Sequence, residues 1–363
     1  MKKIGIDVRL YRQTGVGTYL RNYLHWLLQK ENPLFSYHLF ALPQDALELQ
    51  STYPGVIIHE APYLWHSVKE QTSYYIALEK QRLDLMHFTY FGYPILYKRP
   101  FVTTIHDMTP LFFKTGKSST QHGLIYELKH RAFQYVLKSQ VTNSKAIITP
   151  TKTIRNQLLS YYGMKYKSKI FPIYEGMGYE LTQSTSNDRL KSTYPFPFYI
   201  YVGNFYPHKN INRLIEVFSR IQGDSKLVLV GPDDYFAKSL KTSMPQSDNI
   251  RFYHNPTFSD LVFFYMHAKA LIHPSLSEGF GLPIIEAAYY NCSIIASDID
   301  VFKELLADHY ISFNPFSIDH MSQVIQFFDG QKKERPDYNK LLDHFSFKEM
   351  TAQTEMIYRN ILK

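Results

Sequence analysis

Short apolar runs alternate with stretches of helical period from one end of the chain to the other. Residues 3–8 (Lys-Ile-Gly-Ile-Asp-Val) predict a first strand. Residues 19–29 then place Leu20, Tyr23, Leu24, Leu27 and Leu28 on one stripe, which predicts a helix. Residues 101–105 predict a strand ending at His106-Asp107, and Ala146–Thr149 another. Thr151 is placed to cap a helix over 152–159 that Gly163 closes. Tyr194-Pro195-Phe196-Pro197 breaks the pattern and reads as a linker. The alternation then restarts. Strands are expected at Phe198–Val202, 226–230, Ala270–His273 and 293–296, and helices at 212–221, Phe258–His267 and from Pro283 onward. Phe347–Leu362 reads as a final helix. Strand–helix alternation in both halves predicts two α/β units with mostly parallel sheets. Such sheets bind ligands at the carboxyl ends of their strands, so two of them facing each other would hold a ligand between them.

Composition narrows the class. Of 363 residues, 45% are hydrophobic and 20% charged, enough for two cored domains and too apolar for disorder. A single cysteine, Cys292, excludes a disulfide framework or a multi-cysteine zinc site and fits a reducing compartment. No apolar run approaches the ~18 residues that span a bilayer; residues 261–266 are followed at once by His267 and Lys269. Asp7 and Arg9 interrupt any signal-peptide core. A soluble, cytoplasmic protein is the expectation. No repeat or low-complexity tract is present.

Charge is uneven. Residues 1–195 carry 24 Lys+Arg against 13 Asp+Glu (24 − 13 = +11), and residues 196–363 carry 16 against 19 (16 − 19 = −3), which sum to the overall +8. A basic first half suits an anionic partner, or is a lysine-rich solvated surface. Nucleic acid is not expected, because neither zinc-finger spacing nor an aromatic-basic RNA motif accompanies the charge. Residues 123–138 set Leu124, Ile125, Leu128, Ala132, Phe133 and Val136 at helical spacing, with Lys129, His130, Arg131 and Lys138 between them. That pattern fits a core-facing helix with a basic side, or contact with an anionic membrane surface.

Four loops carry the chemistry, each at a strand end. Thr14-Gly15-Val16-Gly17-Thr18 brings glycines to a helix start, where backbone N–H groups can meet an anion. Leu20 stands where a dinucleotide fingerprint needs its third glycine, so the loop is either an anion cradle or a tight turn. His106-Asp107 offers a donor or an acid–base group, or an ordinary buried histidine. In Gly203-Asn204-Phe205-Tyr206-Pro207-His208-Lys209-Asn210, Lys209 just precedes a helix and can pair with a phosphate. The fourth, Ser275 to Ala288, is the most specific. Gly279 and Gly281 leave amides open beside Phe280 and Leu282, and Pro283 suits a first helical turn. Glu278 lies before that helix and Glu286 about one turn inside it. A structural turn accounts for the glycines and the proline but not for the two carboxylates.

The Glu278–Glu286 spacing resembles the glutamate-x7-glutamate signature of retaining GT-B glycosyltransferases, in particular glycosyltransferase family 4. The resemblance covers nearly the whole chain. Gly15-Val16-Gly17 resembles the N-terminal glycine loop, Thr104-Ile105-His106-Asp107 the cleft histidine motif, and Gly203 through Asn210 the glycine…lysine-asparagine loop. Ser297-Asp298 and Glu304 look like the stretch that follows. It implies a GT-B fold with an acceptor domain over 1–194, a donor domain over 195–346, and a last helix, 347–363, that crosses back to the first domain.

The resemblance also implies roles. Lys209 would bind the donor diphosphate, with Gly15 and Gly17 closing over it, and Gly203 and Asn204 would line the donor site. Glu286 would hold the ribose. Glu278 would meet the sugar hydroxyls with the Gly279–Gly281 amides, and His106 the sugar near its reacting carbon. Family arginines are replaced by Asn204 and His208, and Arg9, Arg12 and Arg213 are candidate substitutes for the lost charge.

The implied reaction moves a hexose, mannose by family frequency, from a GDP- or UDP-linked sugar to a glycan or lipid-linked acceptor, with retention and with no cofactor or metal. Polysaccharide biosynthesis at the inner membrane face is the implied setting. Asp298-Ile299-Asp300 matches a metal motif of another glycosyltransferase fold but sits in an ordinary loop of this family, and Asp233-Asp234 reads as a turn. The alternatives are a non-catalytic GT-B subunit, or another GT-B enzyme such as an epimerase or a phosphorylase.

Overall fold

A computed structural model of the chain describes residues 1–29, 33–113, 123–221, 223–244, 247–331 and 334–363, with side chains from Glu127 onward in the helix that starts at Gly123. Contacts divide it into two units. Unit 1 takes the residues up to Phe112, the stretch ending at Glu175, and Phe347–Lys363; unit 2 takes Gly176–Ser346.

Among the described residues, unit 1 carries a seven-stranded sheet of β1 (Lys3–Asp7), β2 (Ser36–Ala41), β3 (Ile57–Glu60), β4 (Leu85–Phe88), β5 (Phe101–Thr104), β6 (Ala146–Thr149) and β7 (Ile170–Pro172). Its order is β3-β2-β1-β4-β5-β6-β7. Unit 2 carries a six-stranded sheet of β8 (Phe198–Val202), β9 (Lys226–Gly231), β10 (Ile250–His254), β11 (Ala270–His273), β12 (Ser293–Ser297) and β13 (Ile311–Phe313). Its order is β10-β9-β8-β11-β12-β13. Every pairing is parallel, for example Ile4 with Tyr37 and with Leu85, and Tyr201 with Leu229. The fold is therefore α/β, with two doubly wound parallel sheets.

The central strands read as unbroken apolar runs because helices cover both faces of each sheet. β4, β5, β8 and β11 are buried along their whole length. The strands that periodicity does not reveal are those with polar interruptions or little length. Six strands are of this kind: β2 and β4 hold buried His38 and His87, β3 and β10 mix histidine and charged residues with apolar ones, and β7 and β13 have three residues each. In each sheet the winding reverses beside the first strand, between β1 and β4 and between β8 and β11. Loops leaving the carboxyl ends there splay apart and leave a crevice.

Local signals place several helices. Thr151 accepts a hydrogen bond from Ile154 N at 3.2 Å and caps Lys152–Tyr162, which Gly163 (φ +107°) closes. Asp234 caps Tyr235–Ser243 by accepting from Ala237 N at 2.9 Å, so Asp233-Asp234 is a helix start. The first helix, Val16–Leu28, begins before Tyr19, because Gly15 at φ +68° already turns the chain into it. The helix over Gly123–Asn143 differs from its expected stripe. Leu137, Gln140 and Val141 are its buried residues, whereas Leu128 is 68% and Tyr135 64% exposed and Ala132 is exposed. The side chains of Leu124 and Ile125 lie outside the described residues.

The division between units falls at Glu175/Gly176, upstream of the proline-rich break at Tyr194-Pro195. The segment before that break is bound to unit 2 by its polar groups. Asn187 N donates to Ser259 O (3.0 Å), Asn187 Nδ2 donates to Asp260 Oδ1 (2.7 Å), and Tyr290 Oη donates to Leu181 O (2.9 Å). Prolines mark a stiff connection, which need not coincide with the boundary of a core.

The last helix, Phe347–Leu362, belongs to unit 1 and packs on Val16–Leu28. A buried polar chain fixes it there. His87 Nδ1 and Tyr23 Oη each lie 2.5 Å from Tyr358 Oη, and His87 Nε2 lies 2.8 Å from Thr104 Oγ1. Burial pushes the His87 imidazole down to about 3, so it is neutral and needs a partner on each nitrogen. No helix among the described residues is long and apolar enough to cross a membrane. Replacing Tyr358 with Phe strands His87 Nδ1 in the core and should lower stability by about 1–3 kcal/mol. Urea unfolding of the two proteins measures this, and equal midpoints would mean that the chain does not hold the helix.

Candidate functional site

Unit 2 brings most of the expected residues to the carboxyl ends of β8 and β11. After β8 the chain turns at Gly203, φ +146°, where a Cβ would stand 2.9 Å from Tyr201 Oη. A short 3-10 turn, Pro207–Lys209, follows, and Asn210 starts the helix Ile211–Arg220 in the left-handed region at φ +61°. Asn210 links three loops. Its Nδ2 donates to Pro274 O (3.1 Å) and Pro315 O (2.9 Å), and its Oδ1 accepts from Arg213 Nη1 (2.8 Å). Leu276 N donates to His208 O at 2.8 Å. The loops after β8 and β11 are thus bound to each other through backbone and amide groups.

That binding sets a three-residue cluster. Lys209 Nζ lies 2.6 Å from Glu278 Oε1, and His273 Nε2, at the end of β11, donates to the same oxygen at 2.9 Å. Oε2 has no partner among the described residues. Glu278 is 8% exposed. Burial alone would raise its carboxyl, but Lys209 and His273 outweigh burial and hold it below the usual carboxylate range. His273 is pushed down by burial, against the pull of Glu278, so its ring is neutral with the proton on Nε2. Among the described residues its Nδ1 has no hydrogen-bond partner, and neither does Ser275 Oγ nor His208 Nδ1.

The amide-rich turn continues the cluster. Gly281 at φ +89° precedes the helix Leu282–Tyr289, and a Cβ there would meet Phe302 at 3.0 Å. Gly279 and Leu282 are partly exposed, whereas the Phe280 side chain is buried edge-on against Phe345. Only the backbone of Phe280 is therefore available to a ligand. Glu286 is partly buried and accepts from Tyr265 Oη at 2.6 Å. Burial raises its carboxyl, Tyr265 opposes this, and Glu180 adds to it. The two glutamates thus differ. Glu278 holds its charge into acid, and Glu286 takes up a proton more readily than a free side chain.

Among the described residues of unit 2, neither His208 nor Arg213 supplies a free charge at this loop. Burial pushes His208 down to about 4, so it adds no charge. Asn204 accepts from Tyr206 N at 3.5 Å, within its own loop, and Arg213 is turned to Asn210. Lys209 is the cation this unit sets beside Glu278.

Gly15, Gly17 and His106 belong to unit 1. Gly17 has a packing reason, since a Cβ would stand 2.6 Å from Tyr11 O, and Gly15 is required only by its positive φ. His106 ends the strand region of β5 and is buried. Its Nε2–H donates to Thr89 O at 3.0 Å, its Nδ1 lies 3.4 Å from Glu175 Oε1, and Tyr19 packs edge-on against it. Arg9 is buried between Asp7 Oδ2 (2.7 Å) and Glu70 Oε1 (2.8 Å), over the face of Tyr74. Burial works against its charge and those carboxylates more than restore it, so Arg9 is charged but fully engaged. Arg12 is paired with Asp45 and Glu48.

Sequence reasoning missed His273, Asn210, Tyr265 and Glu175. The available signal for His273 was its place as the last residue of a strand, the position His106 nearly shares. For Asn210 it was an asparagine immediately before a helix.

The model of Glycosyltransferase Family 4 matches residues 14–177, and that of Glycosyl transferases group 1 matches residues 184–340. The O-antigen chain mannosyltransferase RfbU of Salmonella typhimurium is 27% identical over 259 residues, covering 70% of this chain and 67% of that protein. A sucrose-phosphate synthase from Thermosynechococcus elongatus has the same fold, with a TM-score of 0.78 at 16% identity over 99% of both chains. So has Anabaena HepE in complex with UDP and glucose, with a TM-score of 0.75 at 13% identity over 99% of this chain and 100% of that one. With both halves matched in order and the two-sheet architecture shared, the chain belongs to the group 1 glycosyltransferases of glycosyltransferase family 4 and has the GT-B fold.

Proposed function

We propose that this glycosyltransferase moves a hexose, mannose first among the candidates, from a GDP- or UDP-sugar to a glycan or lipid-linked acceptor with retention, using no metal or cofactor. The observation that carries the reading is the Lys209–Glu278–His273 cluster beside the Gly279–Gly281 turn. A charged lysine and a helix N-terminus suit a diphosphate, and a fixed, ionised carboxylate suits sugar hydroxyls. The name of the Salmonella relative supports mannose and a polysaccharide product, and the ligands of the Anabaena structure support a nucleotide-linked donor.

In the proposed reaction the bond from the anomeric carbon to the diphosphate oxygen breaks with its electron pair leaving on the diphosphate. The acceptor oxygen bonds to the same face, and its proton passes to the departing diphosphate oxygen. Lys209 and the amides would neutralise the leaving group as its charge grows, which is where fixed dipoles lower a barrier most. Glu286 would hold the ribose. His106 has its Nε2–H committed to Thr89 O and its Nδ1 facing Glu175 Oε1 at 3.4 Å, and its proposed role at the sugar rests on the family motif.

A membrane-bound acceptor would fit the basic first half. Leu128, Ala132 and Tyr135 form an exposed stripe with Lys129, Arg131 and Lys138 beside it. Binding to phosphatidylglycerol vesicles at low salt, lost when Leu128 and Tyr135 are both replaced by Ser, is expected in co-sedimentation. Equal sedimentation of parent and variant would remove the stripe from any membrane role.

The donor reading is tested by thermal melting against GDP, UDP and their sugars. A ligand at about 100 times its Kd adds about 2.7 kcal/mol and raises Tm visibly. Lys209→Ala removes a charge-assisted contact of ~1.5–3 kcal/mol and should weaken that ligand by about 10–150-fold. It should also lower the ligand-free Tm, since buried Glu278 loses its cation. An unchanged ligand response in the variant would place the nucleotide elsewhere. Acid should weaken nucleoside diphosphate binding as Glu286, whose carboxyl is raised, takes up a proton. Titration calorimetry across pH would show this decline in the parent and a flat profile in Glu286→Gln; a decline that persists in the variant would assign it to another group.

A further inference from the structure

We propose that His273 is the positioning residue of the donor site: its Nε2–H holds Glu278 Oε1 so that Oε2 stays turned to the donor sugar when Lys209 is drawn to the diphosphate. The inference rests on the donor reading above and deepens it.

The geometry assigns two donors to one carboxylate oxygen, Lys209 at 2.6 Å and His273 at 2.9 Å. They differ in freedom. Lys209 ends a flexible stem in a loop, and its charge is the one that an arriving diphosphate competes for. His273 is the last residue of a central strand and is 1% exposed. Its ring stacks on Tyr201 (5.7 Å between centroids, 27° between planes) and meets the edge of Phe302 (5.4 Å, 72°). It cannot turn away.

Once Lys209 is shared with an anion, Glu278 keeps one rigid donor, and a buried carboxylate without any would be costly and free to rotate. A histidine serving only to fill this place would be a poor choice. Its Nδ1 is buried with no partner among the described residues, which costs free energy that an apolar ring would avoid. What the imidazole supplies that an apolar ring lacks is the hydrogen bond to Glu278.

The test uses His273→Phe, which keeps a ring and loses the donor, and His273→Gln, whose side-chain N–H reaches about as far as Nε2. Each is titrated calorimetrically with GDP and GDP-mannose, and with UDP and UDP-glucose in parallel. Glu278→Gln is measured beside them, as is the double variant that combines His273→Phe with Glu278→Gln. His273→Phe should bind the nucleoside diphosphate within about twofold of the parent and lose about 10–100-fold for the nucleotide sugar. His273→Gln should recover most of that loss, and the double variant should be no worse than Glu278→Gln alone.

Measured in a Glu286→Gln background, which removes the decline assigned to Glu286, the acid limb of nucleotide-sugar binding should also move to higher pH in His273→Phe, because Glu278 then faces Lys209 from the 3-10 turn, with neutral His208 beside it and Tyr201 across from β8. A merely structural role would lower Tm without moving that limb. Parent-like nucleotide-sugar affinity and pH profile in His273→Phe, with Glu278→Gln impaired, overturns the proposal and leaves the donor reading standing. Parent-like affinity in Glu278→Gln overturns both. If His273→Phe does not fold, His273→Gln is compared with His273→Asn, whose shorter amide reaches only as far as Nδ1. Recovery with glutamine and not with asparagine is expected, and equal behaviour of the two overturns the proposal.

Discussion

A single carboxylate oxygen, Glu278 Oε1, organises the site in the second unit. It takes a lysine from the loop after β8 and a histidine from the end of β11. An ionised carboxylate this deeply buried is stable only when paired and hydrogen-bonded, so neither loop can shift alone without exposing an uncompensated charge. Asn210 enforces the same coupling through backbone carbonyls at Pro274 and Pro315. The result is a rigid, charged edge beside an amide-rich helix start, at the switch point where a parallel sheet leaves room for a ligand.

The first unit solves a similar problem differently. Its sheet ends carry Arg9 between Asp7 and Glu70, and His106 between Thr89 O and Glu175. The arginine is surrounded by partners on all sides and serves the frame. The histidine has one nitrogen committed and the other facing a buried carboxylate. Its last helix comes from the far end of the chain and is held by hydroxyl and imidazole groups rather than by apolar contact alone. Such polar chains in a core demand one arrangement, because each unpaired member carries a desolvation cost.

Membership of the family rests on matches to both halves of the chain in order, and the architecture rests on the shared two-sheet fold. Neither bears on donor or acceptor, because one fold serves many sugars and specificity lives in particular contacts. Two features of this chain set it apart within its unit: the absence of arginine at Asn204 and the neutrality of His208. Lys209 is therefore left as the charged member of its loop, paired with Glu278.

Much of this was legible in the sequence. Short apolar runs located most central strands and period-3.6 stretches the helices beside them, since those signals report burial and need no partner. The spacing of Glu278 and Glu286 around Gly279, Gly281 and Pro283 indicated a charged, amide-rich turn. Strands β2, β3, β4, β7, β10 and β13 were hidden, because buried His38 and His87, mixed polar residues or three-residue length erase the signal. The contact-based division falls at Glu175/Gly176 and the proline-rich break at Tyr194-Pro195, because proline reports local stiffness while contacts report which core a segment joins. Tertiary structure alone decided that His273 and Lys209 share one oxygen of Glu278, that Phe280 turns into the core, and that Arg9 is already engaged. Those outcomes depend on which strands become neighbours, and a pairing between distant segments leaves no period along the chain.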